Sequence, residues 1–93
     1  MSNAQLNTKL EALLGKLPRP PDGVARNAWI GYDSRAYVMY YWPSGPHSPD
    51  YEARVYVTAP EEFVVCGPGQ DHEVYAGPFQ TLDAALAAMR LLD

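Results

Sequence analysis

Leucines recur at positions 6, 10, 13, 14 and 17. These intervals of three and four place them in one stripe, which predicts an amphipathic helix from about residue 4 to 16. Gly15 weakens its end, and Pro18 disfavours a helical conformation for Leu17 before it. Leu17-Pro18-Arg19-Pro20-Pro21-Asp22-Gly23 then reads as an extended, polyproline-like connector closed by an Asp-Gly turn. The helix has two available uses, packing on its own sheet or docking on a second copy or a partner.

Beyond the connector the apolar period changes from helical to two. Asn27–Tyr32 is a short candidate strand carrying Trp29 and Ile30. Arg35–Trp42 is the next, with Tyr37, Met39 and Tyr41 on one side and Val38, Tyr40 and Trp42 on the other. Both of its faces are apolar or aromatic. Such a strand is either covered on both sides or presents an aromatic surface.

Tyr51–Thr58 alternates more cleanly, with Tyr51, Ala53, Val55 and Val57 opposed to Glu52, Arg54, Tyr56 and Thr58. That is the pattern of a half-buried antiparallel strand. Glu62–Cys66 is a short apolar strand, and Gly67-Pro68-Gly69-Gln70-Asp71 is a hairpin loop. Glu73–Ala76 pairs back, Gly77-Pro78 ends it, and Phe79 points toward the core. Thr81 then offers a side-chain acceptor to the first turn of a helix, where Asp83 adds favourable negative charge. Leu82, Ala85, Leu86, Met89 and Leu92 form the face that covers the sheet.

The predicted fold class is α+β: an antiparallel β-meander of four to five strands, with an N-terminal amphipathic helix and a C-terminal helix packed on the sheet. It divides into a helix at 1–17, a Pro-rich connector at 18–26 and a meander plus helix at 27–93, all within a single domain of 93 residues. The connection 43–50, with three prolines, is stiff enough to be presented to a partner at low entropic cost.

Charge narrows the list of partners. Residues 1–26 carry Lys9, Lys16, Arg19 and Arg26 against Glu11 and Asp22, net +2. Residues 27–93 carry Arg35, Arg54 and Arg90 against nine acidic side chains, net −6. Binding to nucleic acid draws mostly on cations that displace counterions from phosphates, so an acidic body makes nucleic acid an unlikely ligand. No segment approaches the roughly 18 apolar residues of a membrane span. The start of the chain lacks the pattern of a secretory signal, and a single cysteine fits a reducing compartment. A cytoplasmic location is the expectation, with no membrane partner.

Candidate chemistry is sparse. His47, Asp50, His72 and Glu73 lack the spacing of metal ligands, so neither metal nor cofactor is expected. Cys66 follows Phe63-Val64-Val65 and reads as a small buried hydrophobe; a Cys66–His72 nucleophile pair has nothing nearby to stabilise a thiolate. Gly67-Pro68-Gly69 is no phosphate cradle, because proline removes a donor and no lysine follows. No catalytic residues are assigned, and the chain is not expected to be an enzyme.

The aromatic content carries the remaining signal. Tyrosine and tryptophan bury large areas at small entropic cost and are enriched in binding hot spots. The expected partner surface is Tyr37, Tyr40, Tyr41 and Trp42, with His47 and the acidic Asp50, Glu52, Glu61 and Glu62 around the 43–50 loop. The chain is therefore expected to be a small non-catalytic binding or regulatory protein acting on another protein, in its sharper form an acidic inhibitor of the immunity or anti-defence kind. Self-association through the N-terminal helix or a free sheet edge is a further option.

His72-Glu73-Val74-Tyr75-Ala76-Gly77-Pro78-Phe79 and the Ala/Leu helix after it resemble the second half of the SPOR family of peptidoglycan-binding domains. The first half of that family has no counterpart here. Gly77, Phe79, Thr81, Asp83, Ala85 and Ala88 also resemble the sheet-to-helix junction of AP2-type and integrase arm-type DNA-binding domains. Those domains read DNA from a basic sheet, whereas these strands carry only Arg35 and Arg54 among many acids. Both likenesses are read as convergence on one way of capping a meander. They imply an alternative function, a nucleic-acid- or glycan-binding module of the sheet-plus-helix type.

Overall fold

The structure is a computed structural model, and it describes residues 3–43, 53–67 and 73–91. Helix α1 (Asn3–Lys16) is followed by strands β1 (Ala25–Ile30), β2 (Ala36–Tyr41), β3 (Arg54–Ala59), β4 (Glu62–Cys66) and β5 (Val74–Phe79), then helix α2 (Leu82–Arg90). The strands form one antiparallel sheet in chain order, β1-β2-β3-β4-β5. This is the α+β meander with two flanking helices that the apolar pattern predicts.

Both helices lie on the same face. Leu13 and Leu17 from the α1 end of the chain, and Leu82, Ala85, Leu86 and Met89 from α2, share one core with Val38, Tyr40, Val55, Val57, Phe63 and Val65. Helix α1 covers β1 and β2, while α2 covers β3, β4 and β5. The leucine stripe therefore packs on its own sheet. With a 2.0 period along each strand, the residues between those core positions face away from both helices.

The connector is tied to this core. Val24 is buried, and the carbonyl of Pro18 accepts hydrogen bonds from the Tyr40 hydroxyl at 2.7 Å and from Arg26 Nη1 at 3.4 Å. Strand β1 begins at Ala25, inside the segment predicted as connector, and stops at Ile30. The cause is the register, which pairs Ala25 with Tyr41 and Arg26 with Tyr40. The chain then turns through Tyr32-Asp33-Ser34; Gly31 N–H donates to the Arg35 carbonyl at 2.9 Å, and Ser34 adopts φ 61°. A turn closed by a left-handed residue is a common three-residue hairpin.

Strand β5 continues past Ala76, where the sequence predicts an end, through Gly77 and Pro78 to Phe79. It is an edge strand, and a proline is tolerated where no ladder donor is required. Gly77 has φ 113°, and a Cβ there would lie 2.8 Å from the Phe63 carbonyl oxygen, so only glycine lets the strand pass. Thr81 is the N-cap of α2, and its Oγ1 accepts from Ala84 N–H at 3.2 Å.

Candidate binding groove on the helix-free face

The second face of the sheet carries a ladder of large side chains that no helix covers. Trp29 on β1 stands opposite Tyr37 on β2, and Met39 stands opposite Tyr56 on β3, which pairs in turn with Val64 on β4. Cys66 pairs with Arg54 on one side and Val74 on the other. Together Trp29, Tyr37, Tyr56, Thr58, Val64, Cys66 and Val74 line an open groove of about 400 Å³ that crosses all five strands.

Cross-strand ring contacts set its shape. The rings of Trp29 and Tyr37 stack at 5.7 Å with planes 14° apart, while Trp29 and Tyr56 meet at 6.1 Å and 81°. Gly31 makes room for this arrangement, because a Cβ there would lie 2.6 Å from the Tyr37 ring. At the same end Tyr37 donates its hydroxyl hydrogen to Asp33 Oδ2. That bond is the main reason the exposed Asp33 carboxyl titrates below its ordinary 3.8 and the Tyr37 phenol above its ordinary 10.0. Arg35 Nε lies 3.8 Å from Asp33 Oδ2.

Beside Tyr56, two residues earlier on the same face of β3, sits a fully buried cation. Arg54 Nε donates to the Tyr56 hydroxyl oxygen at 3.0 Å, and the guanidinium carbon lies 5.5 Å from the ring centroid. Among the described residues no buried polar side-chain atom is left without a hydrogen-bond partner. Burial pushes the Cys66 thiol above its ordinary 9.0, with the Arg54 charge working in the opposite direction. A thiol held protonated at neutral pH is a groove wall and a poor nucleophile.

The structure separates the residues named from the sequence. Tyr37 and Tyr41 are half-buried on the helix-free face, and Tyr37 lines the groove. Tyr40 is fully buried against Phe63 and the helices, which removes it from any exposed surface. Trp42 packs against the same core with the Arg90 guanidinium 5.6 Å from its ring, so it too lies on the helix side. Glu62 shares the groove face, two residues before Val64 on β4. Glu61 instead borders a separate depression of about 430 Å³ between the connector and the start of α2, lined also by Lys16, Arg19 and Asp83. His47, Asp50 and Glu52, with His72 and most of the 43–50 loop, lie outside the described residues.

Trp29, Tyr56 and Val74 lie outside the partner surface that the sequence predicts. The alternation in β3 does place Tyr56 and Thr58 together on the face opposite Val55 and Val57, and it is the sequence signal that points to them. Among the described residues, no three His, Cys, Asp or Glu side chains come together as a metal site, and no helix is long and apolar enough to cross a membrane. Comparison with protein families, with curated proteins and with solved structures finds no match for this chain.

Proposed function

We propose that this chain is a small non-catalytic binding or regulatory protein that acts by protein–protein contact, with the groove on the helix-free face as its docking surface. The observation that carries the reading is the cluster Trp29, Tyr37 and Tyr56, joined by Val64 and Val74 in a groove no helix covers. Aromatic groups held rigid by their neighbours lose little entropy on binding, which is what a hot spot requires. The sharper form is an inhibitor whose acidic body occupies a basic site on its target and gains association rate from electrostatic steering.

The same exposed rings would also serve a stacking ligand such as a single-stranded base or a sugar, which is the alternative module. The net −6 charge of residues 27–93 weighs against the nucleic-acid form.

The test is an affinity capture from lysate of the source organism with the wild type, Thr58→Arg and Trp42→Phe proteins side by side. Thr58 is exposed and lines the groove, so an arginine there fills it without entering the core. A protein partner held by wild type and by Trp42→Phe, but lost with Thr58→Arg, supports the reading. A partner retained equally by Thr58→Arg removes the groove from the interface.

A further inference from the structure

We infer that strand β1 is a pairing edge whose occupant is β1 of a second copy of this chain, running antiparallel and joining two five-stranded sheets into one.

The free edge follows from the register. Hydrogen-bonded and non-hydrogen-bonded pairs alternate along an antiparallel ladder. Gly31 N–H donates to the Arg35 carbonyl at 2.9 Å, so Gly31 and Arg35 form a hydrogen-bonded pair. Trp29 with Tyr37, Asn27 with Met39 and Ala25 with Tyr41 are then the hydrogen-bonded pairs of β1. Arg26, Ala28 and Ile30 lie between them and direct their backbone N–H and C=O groups away from β2. The Ala28 N–H accordingly donates to the side chain before it, Asn27 Oδ1, at 3.0 Å. Among the described residues no backbone group from outside the sheet bonds to this side of β1.

The two edges of the sheet differ. Folds blunt an open edge with proline, bulges or charge. Strand β5 carries Pro78, Gly77 at φ 113° and register shifts against β4. Strand β1 has six residues in unbroken register with β2 and no proline. Its one charged residue, Arg26, is drawn back to the Pro18 carbonyl. The leucine stripe of α1 is already packed on its own sheet, which leaves this edge as the route to self-association.

A second copy fits because β1 complements itself. Antiparallel pairing centred on Ala28 sets Ala28 opposite Ala28 and Arg26 opposite Ile30, and each such pair exchanges two main-chain hydrogen bonds. No carboxylate lies on the strand, and its cation falls across from an apolar side chain. The helices of both copies stay on one side of the joined sheet. On the other side Trp29 stands opposite Asn27 of the second copy, so the two grooves become continuous. Tyr32, fully exposed in the hairpin after β1, is carried to the level of Val24 of the second copy, where the connector enters the strand. The net charge of −4 on each copy opposes approach. Physiological salt, with a screening length of about 8 Å, damps that repulsion.

The experiment follows sedimentation and amide hydrogen exchange of the full chain in physiological salt, up to about 1 mM protein, which reaches dissociation constants in the millimolar range. A monomer–dimer equilibrium is expected. Protection of the Arg26, Ala28 and Ile30 amides should rise with concentration, while the Asn27 and Trp29 amides are protected throughout. Ala28→Pro removes the central outward N–H without taking a ladder bond from β2, and should leave a monomer. Ile30→Pro does the same at a position away from the core contact of Ala28. Both variants are checked by their thermal transitions to be folded. Asn27→Thr releases the Ala28 N–H and should tighten the dimer about two- to tenfold, the worth of one hydrogen bond.

A chain that stays monomeric over the whole range overturns the inference and leaves the groove reading untouched. A dimer whose protection falls on β5 or α1 instead overturns it, as does one that survives a folded proline variant or is unmoved by Asn27→Thr. Protection of Arg26, Ala28 and Ile30 that is already complete in the monomer shows an edge covered within one chain, and overturns it as well.

Discussion

The Pro18 carbonyl receives the Tyr40 hydroxyl at 2.7 Å and Arg26 Nη1 at 3.4 Å, so one backbone oxygen fastens the connector to both β1 and β2. Tyr40 reaches it from inside the core, where its ring packs on Phe63. Burial is the main cause that raises the Tyr40 phenol above its ordinary 10.0, and Arg26 draws it back. Replacing Tyr40 with phenylalanine keeps the ring and removes one hydrogen bond, with an expected loss of about 1 kcal/mol at neutral pH. The sign of the pH dependence follows from the direction of the shift. A group whose folded pKa is raised contributes stability below its unfolded pKa and loses it as pH rises through the folded value. The advantage of wild type over Tyr40→Phe should therefore shrink above about pH 10. Urea midpoints for both proteins at neutral and alkaline pH measure this, and an advantage that grows with pH would contradict it.

At the scale of elements, α2 and β1 differ in how local their causes are. Thr81 Oγ1 receives Ala84 N–H, Asp83 lies in the first turn, Arg90 in the last, and the buried face is Leu82, Ala85, Leu86 and Met89. Each of these is a property of residues within one helix, so the start and buried face of α2 are legible in the sequence. Thr81→Ala should cost about 1 kcal/mol. For a domain of this size that lowers Tm by about 4–8 °C, and an unchanged Tm would show that the cap carries no weight. The start of β1 and the end of β5 depend on partners across the sheet, Ala25 on Tyr41 and Phe79 on Phe63, which no local pattern specifies. The same limit applies to the groove. Period two shows that Tyr40 and Trp42 share a face, but with apolar residues on both faces of β2 it does not say which one the helices cover. Trp29 becomes part of a site only because its register sets it against Tyr37, beside Tyr56.

Taken as a whole, the molecule is two-layered, with both helices on one face of the sheet, and this makes the two faces energetically unlike. Val55 on β3 is fully buried between Tyr40 and Val65, whereas Val64 on β4 is half-buried in the open groove. An aspartate at position 55 must either stay charged without a partner or take up a proton, and both are costly in a packed apolar core. Val55→Asp is expected to cost more than about 4 kcal/mol and to abolish the cooperative thermal transition. Val64→Asp loses strand propensity and part of a groove wall but keeps its carboxylate in water, for about 1 kcal/mol. Circular dichroism melts of the two variants decide the matter. If Val64→Asp also unfolds the chain, the open face is part of the stability core and its aromatic groove is held there by folding. If Val64→Asp melts close to wild type, the β4 wall of the groove is a surface that the fold does not need for its own stability, and the half-buried rings of Trp29, Tyr37 and Tyr56 beside it are free to serve binding.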